Sequence, residues 1–264
     1  MRRRISDVAV LTARNLVHLA REPLRLSDAT VQPVLFTLLF VYVFGAGIKL
    51  PGSDDYKGFL LAGLLALNLT TSSMGTAVGL SDDLHSGVID RFRALPIWRP
   101  AILIARSLTD LLTAALCAGF VVATGLVVGW RAHGDVGDVI AAFAVVLLFA
   151  YALSWLCACI GLGSDDTESA QGAGLIVLFP LAFVSNAMVP TQHMPAVLRA
   201  IANWNPVSAV TAAARDLLGN PNPSATIHEW PMQHPALASV LWSAALIAVF
   251  APLAVAMYRR RTVD

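Results

Sequence analysis

Charged residues are scarce in this 264-residue sequence: Asp, Glu, Lys and Arg make up 13% of it, about half the share typical of soluble domains. Apolar residues account for 57%, and the mean hydropathy is +0.69. Such a composition excludes an ordinary soluble domain and predicts a protein of the lipid bilayer. The net charge of +1 provides no basic excess, so no nucleic-acid partner is expected.

Lysine is nearly absent, and no phosphate-binding glycine loop is present. ATP binding through a Gly-x-x-x-x-Gly-Lys-Ser/Thr loop requires a lysine that reaches the phosphates. Lys49 and Lys57 are the only lysines, and neither stands in such a pattern. We therefore expect no cofactor in this chain, and any use of ATP requires a second polypeptide.

Cysteine and histidine are also few, and they form no ligand set inside an apolar run. Cys117, Cys157 and Cys159 lie within such runs and are interpreted as packing residues. All six histidines lie outside the apolar runs. An intramembrane zinc site or Ser-His hydrolase would therefore lack its ligands or its base. We predict no catalytic residue and no metal ligand, and the chain is not expected to be an enzyme.

Six apolar stretches are long enough to cross a membrane. A hydrocarbon core about 30 Å thick needs about 20 helical residues, because every backbone polar group must be satisfied within its own segment. The stretches are 31–48, 58–80, 111–130, 139–163, 169–190 and 235–258, and none contains Asp, Glu, Lys or Arg. The predicted fold class is an all-α membrane protein with six transmembrane helices.

The distribution of basic residues predicts the orientation of these spans. Thirteen of the 18 Lys and Arg residues lie in 1–30, in 81–110 or after residue 258. Because basic loops stay in the cytoplasm, both termini are expected there. Arginine greatly outnumbers lysine, which suggests a GC-rich bacterial genome and hence the bacterial cytoplasmic (inner) membrane. The first apolar run begins too late and is too long for a cleaved signal peptide, so we expect it to be retained.

We expect residues 1–264 to form a single domain with four parts: an interfacial segment (1–30), spans one to five (31–190), an external segment (191–234), and span six with a cytoplasmic tail (235–264). In the first part, one face of a helix over 5–21 carries Ile5, Val8, Ala9, Leu16, Leu19 and Ala20. This pattern predicts an amphipathic helix on the membrane surface, with Pro23 and Pro33 marking the bend into the first span. A simple basic anchor is the alternative.

The external segment, 191–234, is too long to be a simple connection between two spans. Its apolar stretches 194–201 and 205–210 are too short to cross the membrane. They are expected to form short re-entrant helices that dip into the outer leaflet or cap a dimer. A small disordered linker is predicted around 220–223, where Asn and Pro alternate.

The cytoplasmic loop 81–100 has the pattern of a short amphipathic helix. Its apolar positions at helical spacing are Leu84, Val88, Ile89, Phe92 and Leu95, and its charged positions include Asp82, Asp83, Asp90, Arg91 and Arg93. Pro96 is expected to end the helix. Such a helix either docks on a soluble partner or rests on lipid headgroups, and the pattern alone leaves both open.

Few polar groups occur in or beside the spans. Asp110 follows Arg106 by one helical turn, and the two are predicted to pair for a structural purpose. Asn68 and the run 70–73 place uncharged polar side chains in the second span, where they face either a subunit seam or a substrate path. The Gly-x-x-x-Gly spacings at 75–79 and 125–129 are interpreted as helix-packing motifs. Pro180 is expected to kink the fifth span.

Three motifs resemble the permeases of type-2 ATP-binding-cassette exporters, most closely the daunorubicin/doxorubicin-resistance branch. DLHSGVIDRFRALP at 83–96 is similar to the loop that docks into the ATPase as a coupling helix. FPLAFVSNAMVP at 179–190 resembles the outer end of the fifth span, and NPV at 205–207 with RDLL at 215–218 resembles the outer re-entrant segment. The sequence departs from the family at 85–88, where many relatives carry a charged residue followed by Gly-Thr.

The resemblance implies partners and site residues. Two copies of a separate ATP-binding-cassette ATPase would supply ATP and Mg²⁺, and a second permease chain, identical or homologous, would complete the pathway. The residues implied in ATPase coupling are Asp82, Asp83, Leu84, Gly87, Asp90, Arg91, Phe92, Leu95 and Pro96. The candidates for the pathway or the dimer seam are Asn68, Thr71, Ser72, Phe183 and Asn186.

Export of a hydrophobic or amphipathic compound is the leading functional hypothesis, because the spans contain no buried charge beyond Asp110. The compound would be a drug, a secondary metabolite or a lipid, which places the chain in multidrug efflux and antibiotic resistance. A permease for a lipid-linked glycan or polymer is one alternative. A membrane scaffold or sensor that transports nothing is the other.

Overall fold

The computed structural model describes residues 2–21, 23–44, 56–86 and 100–261, and in these residues every regular element is a helix. The α-helices are α1 (Arg2–Arg21), α2 (Pro23–Leu39), α3 (Tyr56–Ser72), α4 (Met74–His85), α5 (Pro100–Val128), α6 (Val136–Gly163), α7 (Thr167–Phe183), α8 (Ala196–Trp204), α9 (Pro206–Leu218), α10 (Trp230–Gln233) and α11 (Pro235–Arg261). A π-helical turn, Phe40–Phe44, follows α2, and 3₁₀ turns lie at Thr191–His193 and Pro223–Thr226.

Four helical stretches in the described residues are long and apolar enough to cross a membrane. They are Tyr56–His85, Ala101–Val128, Val136–Gly163 and Pro235–Arg260, and they contain the predicted second, third, fourth and sixth spans. The predicted first span overlaps a shorter apolar helix, Ala29–Val43, and its last residues, 45–48, lie outside the described residues. The protein is therefore a helical membrane protein with at least four helices of spanning length.

The predicted fifth span is shorter than the apolar pattern indicated. The pattern ran to residue 190, but α7 ends at Phe183 and has 17 residues. Pro180 lacks an N–H and lies in the last turn of α7, where the helix stops being regular. The apolar residues that follow form turns, because their polar backbone groups find partners in other segments.

The second span is interrupted at Ser73, between α3 and α4. The hydroxyl of Thr70 donates to the carbonyl of Ala66 at 2.7 Å, and that of Ser73 donates to Leu69 at 3.0 Å. Hydroxyls that bond back to the preceding turn loosen and bend a helix. The polar run 70–73, noted in the sequence as a possible seam, is thus also the place where this span bends.

The N-terminal helix is present, but its buried face differs from the predicted one. Leu11 and Thr12 are buried, and Leu11 packs against Ala101 and Ala105 at the start of α5. Ala9, expected on the apolar face, is exposed. Helical spacing predicted that one face of α1 is apolar. Which residues of that face are buried depends on where α5 packs against α1.

Pro33, predicted with Pro23 to mark the bend into the first span, does not interrupt the helix there. It lies inside α2, and the hydroxyl of Thr37 donates to its carbonyl at 2.7 Å. Pro23 begins α2, where a missing N–H costs nothing because the first turn of a helix has no acceptors for its N–H groups. α1 and α2 are therefore separate helices, and α2 begins at Pro23, the first of the two predicted prolines.

The predicted disordered linker at 220–223 is also wrong, because its asparagines are anchored. The Oδ1 of Asn220 accepts a hydrogen bond from Trp130 Nε1 at 3.1 Å, and Asn220 is 7% exposed. The amide of Asn222 donates to Asp216 at 2.8 Å, and its Oδ1 caps the following 3₁₀ turn by accepting from Ser224 N. The residues at 220–223 therefore form an ordered turn that is held by side-chain hydrogen bonds.

The connections between helices gather at two opposite ends of the bundle. At one end, Lys57 Nζ donates to the carbonyl of Val128 at 3.2 Å, and His133 N donates to Leu218 at 2.9 Å. We refer to this end as the α9 end. At the other, the α1 end, Leu103 and Tyr258 share one buried cluster.

α6 lies at the centre, where α4, α9 and α11 all pack against it. α4 approaches α6 closely because Gly161 has no side chain: a Cβ at that position would overlap the carbonyl oxygen of Ala77. Glycine at such a crossing allows two backbones to touch. α4 ends just before the predicted coupling loop, so its contact with α6 fixes the start of that loop.

Candidate functional site

The structure describes only the beginning of the predicted coupling segment. Asp82, Asp83 and Leu84 form the last turn of α4, and Leu84 packs on the cluster around Leu80 and Leu103. The other predicted coupling residues, Gly87, Asp90, Arg91, Phe92, Leu95 and Pro96, lie outside the described residues. The helix predicted for this loop therefore stays a prediction, and the described part of the site is its attachment to α4.

Arg106 of α5 connects that attachment point to the next span. Its Nη1 donates to Asp83 Oδ2 at 3.3 Å, and its Nη2 donates to the carbonyl of Gly75 at 3.1 Å. Its Nε lies 3.6 Å from Asp110 Oδ1, which confirms the predicted pair. Asp110 also accepts a hydrogen bond from Thr76 at 2.7 Å. One guanidinium thus joins α4 to α5 through two hydrogen bonds, to Asp83 and to the Gly75 carbonyl, and forms an ion pair with Asp110 on its own helix.

The Gly75–Gly79 spacing makes room for this guanidinium, which corrects its interpretation as a helix-packing motif. A Cβ on Gly79 would overlap Arg106 Nη2, whereas a Cβ on Gly75 would meet nothing within 4 Å. The Gly125–Gly129 spacing also divides into two roles. Gly125 faces the side chain of Leu61, and Gly129 ends α5 with a φ of 99°.

Gly79→Ala is expected to displace Arg106 and to cost about 1–2 kcal/mol, since the guanidinium would lose part of its hydrogen bonding. The measurement is thermal unfolding of the purified protein in detergent. Gly75→Ala is the matched control and should leave the unfolding temperature nearly unchanged. Equal effects of the two substitutions would contradict the assignment of Gly79 to the guanidinium.

Asn205 holds the region where α7 ends at the α9 end of the bundle. Its amide donates to the carbonyls of Leu181 and Val184 at 2.8 and 2.6 Å. Its Oδ1 accepts from the backbone N–H of Val207 and so caps the start of α9. The carbonyls freed by the end of one helix are therefore satisfied by the cap of another.

Arg215 is the functional residue that sequence reasoning missed. It was counted as an external charge and quoted within a motif, yet its side chain is fully buried. Nε donates to the carbonyl of Phe59 at 3.1 Å, and Nη2 donates to those of Asn186 and Ala187, both at 3.0 Å. The available signal was an arginine on the same helical face as the small apolar residues of α9.

The surroundings of Arg215 are unusual for a buried cation. The guanidinium carbon lies 3.6 Å from the centroid of the Phe59 ring, a cation–π contact. Within the described chain, its hydrogen-bond acceptors are all backbone carbonyls. Burial lowers the pKa of the Arg215 guanidinium to about 9, which still leaves the group charged at neutral pH.

The five candidate pathway residues divide into two groups. Thr71 and Ser72 are exposed on α3, and Phe183 is 49% exposed at the end of α7, stacked on Phe179 at 4.2 Å between centroids. Asn68 and Asn186 are buried, at 7% and 0% exposure. The amide of Asn186 donates to Ser224 at 2.8 Å. These two asparagines therefore belong to the interior and not to an exposed face.

Two open hollows border the described helices. An open hollow of about 310 Å³ follows α2, lined by Ser27, Val31, Gln32, Leu35 and Phe36. A second, of about 290 Å³, lies between the end of α9 and the start of α11. The described residues also contain no group of three His, Cys, Asp or Glu able to hold a metal ion.

Similarity to known proteins extends along almost the entire chain. Residues 6–218 match the ABC-2 type transporter family. The daunorubicin resistance ABC transporter permease protein DrrB1 of Streptomyces coeruleorubidus is 34% identical over 260 residues, covering 96% of this chain and 88% of the relative. The probable doxorubicin resistance ABC transporter permease protein DrrC of Mycobacterium tuberculosis is 25% identical over 259 residues, covering 97% and 89%.

A more distant relative is the putative transport permease ycf38 of Porphyra purpurea, 25% identical over 219 residues, which cover 82% of this chain and 75% of the relative. The family match begins in α1 and ends with α9, so it includes both the Arg106 and the Arg215 sites. Permeases of this family are multi-pass membrane proteins that work with an ATP-binding partner, and ATP hydrolysis takes place on that separate chain. The chain therefore belongs to the ABC-2 transporter family, as a permease subunit of an ABC transporter.

Proposed function

We propose that this permease exports a hydrophobic or amphipathic compound, such as a drug, a secondary metabolite or a lipid, and so contributes to antibiotic resistance. The observation that carries the proposal is the 34% identity to a daunorubicin resistance permease over 96% of the chain. Exposed apolar side chains of α7 support it: Ile176 and Phe179 are 77% and 54% exposed. A largely apolar path suits a cargo that partitions into lipid.

In the proposed assembly, residues 1–264 form a single permease domain with six spans and both termini in the cytoplasm of a bacterial inner membrane. A second permease chain, identical or homologous, faces the exposed side of α3 and α7. Two ATPase subunits bind ATP and Mg²⁺ on the cytoplasmic side. The apolar exposure of α7 supports a partner or lipid there, since an exposed apolar face outside water must meet one or the other.

The proposed coupling runs from the ATPase through the loop that contains Gly87, Asp90, Arg91, Phe92, Leu95 and Pro96. This loop continues directly from Asp82, Asp83 and Leu84 at the end of α4. Motion of the loop would then reach α5 through the contact between Asp83 and Arg106. Coupling of this kind requires that these contacts differ between the two states of the transporter.

The direct test is ATP hydrolysis by the permease and its ATPase reconstituted together in lipid. Anthracycline drugs and amphipathic lipids are expected to stimulate hydrolysis several-fold, because cargo binding favours the state in which the ATPases close. A flat response to every compound would argue against an exporter of this cargo class. A large sugar-linked lipid that stimulates alone would favour the glycan alternative.

Gly87→Arg is expected to lower cargo-stimulated hydrolysis by about tenfold while leaving the permease folded. The reason is that a bulky cation would enter the proposed ATPase contact, whereas a change at Asp83 would also remove the ion pair with Arg106. Gly137→Arg is the matched control, since a Cβ on Gly137 meets nothing within 4 Å and the residue lies at the opposite end of α6. A scaffold that transports nothing would be indifferent to both.

A further inference from the structure

Residues 184–190, here named the unwound segment, leave the helical path at the end of α7 and contain no α-helix. Two of their inward carbonyls, those of Asn186 and Ala187, accept hydrogen bonds from Arg215. The backbone N–H of Asn186 donates to the hydroxyl of Ser208, also on α9. Irregular backbone inside a membrane protein persists only where protein or water satisfies it. For this segment the satisfying groups come from α9.

Arg215 connects three separate parts of the chain at one point. Its guanidinium holds the unwound segment through Nη2, while Nε bonds to the carbonyl of Phe59 and the ring of Phe59 lies beneath the plane. A planar fork of donors can reach acceptors on both sides at once, which a lysine ammonium on a single stem does less well. α3, α9 and the end of α7 are therefore fixed to one another by a single side chain.

The opposite wall of this contact is formed by Gly63 of α3. A Cβ there would overlap the carbonyl oxygen of Ala187, the same oxygen that accepts from Arg215. The carbonyl lies between a position without a side chain and the guanidinium. We refer to Arg215, Phe59, Gly63 and the carbonyls of Asn186 and Ala187 as the Arg215 clamp.

The clamp has unused hydrogen-bonding capacity. Arg215 Nη1 and Asn186 Oδ1 are buried and have no hydrogen-bond partner among the described protein atoms. The guanidinium donates its hydrogen bonds to backbone carbonyls, and the Asp216 carboxylate acts on its charge electrostatically. Carbonyl partners can be exchanged for other oxygen acceptors. Phe183, on the exposed face of α7, immediately precedes the unwound segment. Release of the segment would therefore move that exposed aromatic face.

We propose that the Arg215 clamp holds the exit end of the transport path closed, and that Arg215 releases the carbonyls of Asn186 and Ala187 when the path opens. Arg215 is then a positioning residue: it contacts no cargo, but it sets how often the unwound segment detaches from α3 and α9. The link to transport rests on the proposed function, while the clamp itself does not.

The experiment measures backbone hydrogen exchange of the reconstituted permease–ATPase complex by mass spectrometry, with ATP hydrolysis followed in parallel. Arg215→Lys weakens the hydrogen bond to the Ala187 carbonyl, and Gly63→Ala places a methyl group against the same carbonyl from the other side. The double variant combines the two changes. Arg199→Lys, at an exposed arginine of α8, and Gly119→Ala, where a Cβ meets nothing within 4 Å, are the matched controls.

Each single variant is expected to speed exchange in peptides covering 184–190 by about tenfold, with α6 unchanged, because one cooperative local unit opens. The double variant should be no faster than about the faster single variant, since both changes break one contact. ATP consumed per cargo molecule exported should rise at least about threefold. If Arg215→Lys does not fold, Gly63→Ala alone still reports on the clamp.

Equal acceleration in 184–190 and in α6 would overturn the proposal, because it would show general loss of stability. Unchanged exchange in 184–190, or fully additive singles, would also overturn it. If no compound stimulates the wild-type complex, the proposed cargo class fails while the exchange result still decides on the clamp. A third outcome is that hydrogen exchange in 184–190 rises as expected, while the variants still transport with the wild-type ratio of ATP hydrolysed to cargo exported. That outcome would overturn the assignment of the clamp to the exit of the path.

Discussion

Replacing Gly161 by leucine is expected to destabilise the protein by about 3 kcal/mol or more, because the side chain would occupy the position of the Ala77 carbonyl. The overlapping atom belongs to the backbone of Ala77, so a change of rotamer in a neighbouring side chain cannot relieve the overlap. α4 would have to move away from α6 along their whole contact. Since α4 carries the start of the proposed coupling loop, the variant should also lose cargo-stimulated ATP hydrolysis.

Recovery of monodisperse protein after detergent extraction and the midpoint of thermal unfolding measure this effect. Gly163→Leu is the control, since Gly163 lies two residues further along α6, is exposed, and would meet only the methyl of Met257 at 3.6 Å. It should behave like the unchanged protein. A Gly161→Leu protein as stable as Gly163→Leu would show that the α4–α6 crossing is not as close as described.

Arg106→Met is expected to cost about 2 kcal/mol and to abolish coupled transport. The change leaves Asp83 and Asp110 without the shared cation and removes the donor to the Gly75 carbonyl. Removing one partner from a buried charge pair costs about 3–5 kcal/mol. A smaller figure applies here because the side chains of Asp83 and Asp110 are 34% and 19% exposed.

Coupling is measured as the ratio of cargo exported to ATP hydrolysed, and stability by thermal unfolding. Arg106→Lys should restore part of the stability but little of the coupling, because an ammonium cannot bond Asp83 and the Gly75 carbonyl and pair with Asp110 in one geometry. Arg199→Met, the same substitution at an exposed position, serves as control. An Arg106→Met permease that exports normally would remove Arg106 from the coupling route.

Features set by local spacing were predictable from the residues. Arg106 and Asp110 are four apart on one helix, and the structure confirms their pair. The apolar runs predicted the four helices of spanning length, three of them within about five residues and the third span ten residues late at its start. The short apolar stretches of the external segment became α8 and α9. The motif at 83–96, with two others, led to the family that the relatives confirm.

Features that depend on a distant partner were missed or misinterpreted. Gly79 was assigned to helix packing because spacing alone does not reveal that Arg106 occupies the space. The turn at 220–223 was expected to be disordered, since nothing nearby in the sequence shows that Trp130 anchors Asn220. Asn186 was placed on a seam, although its partners on α9 and at Ser224 put it in the interior.

The sequence by itself determined that this chain is a helical membrane protein and that it contains no glycine-rich ATP-binding motif. Both conclusions follow from local properties, namely the length of apolar runs and the presence or absence of short motifs. Only the tertiary structure decided which polar groups meet inside the bundle. Arg215 and Phe59 are 156 residues apart in the chain. No periodicity reports such a contact, because it exists only once three helices have packed around it.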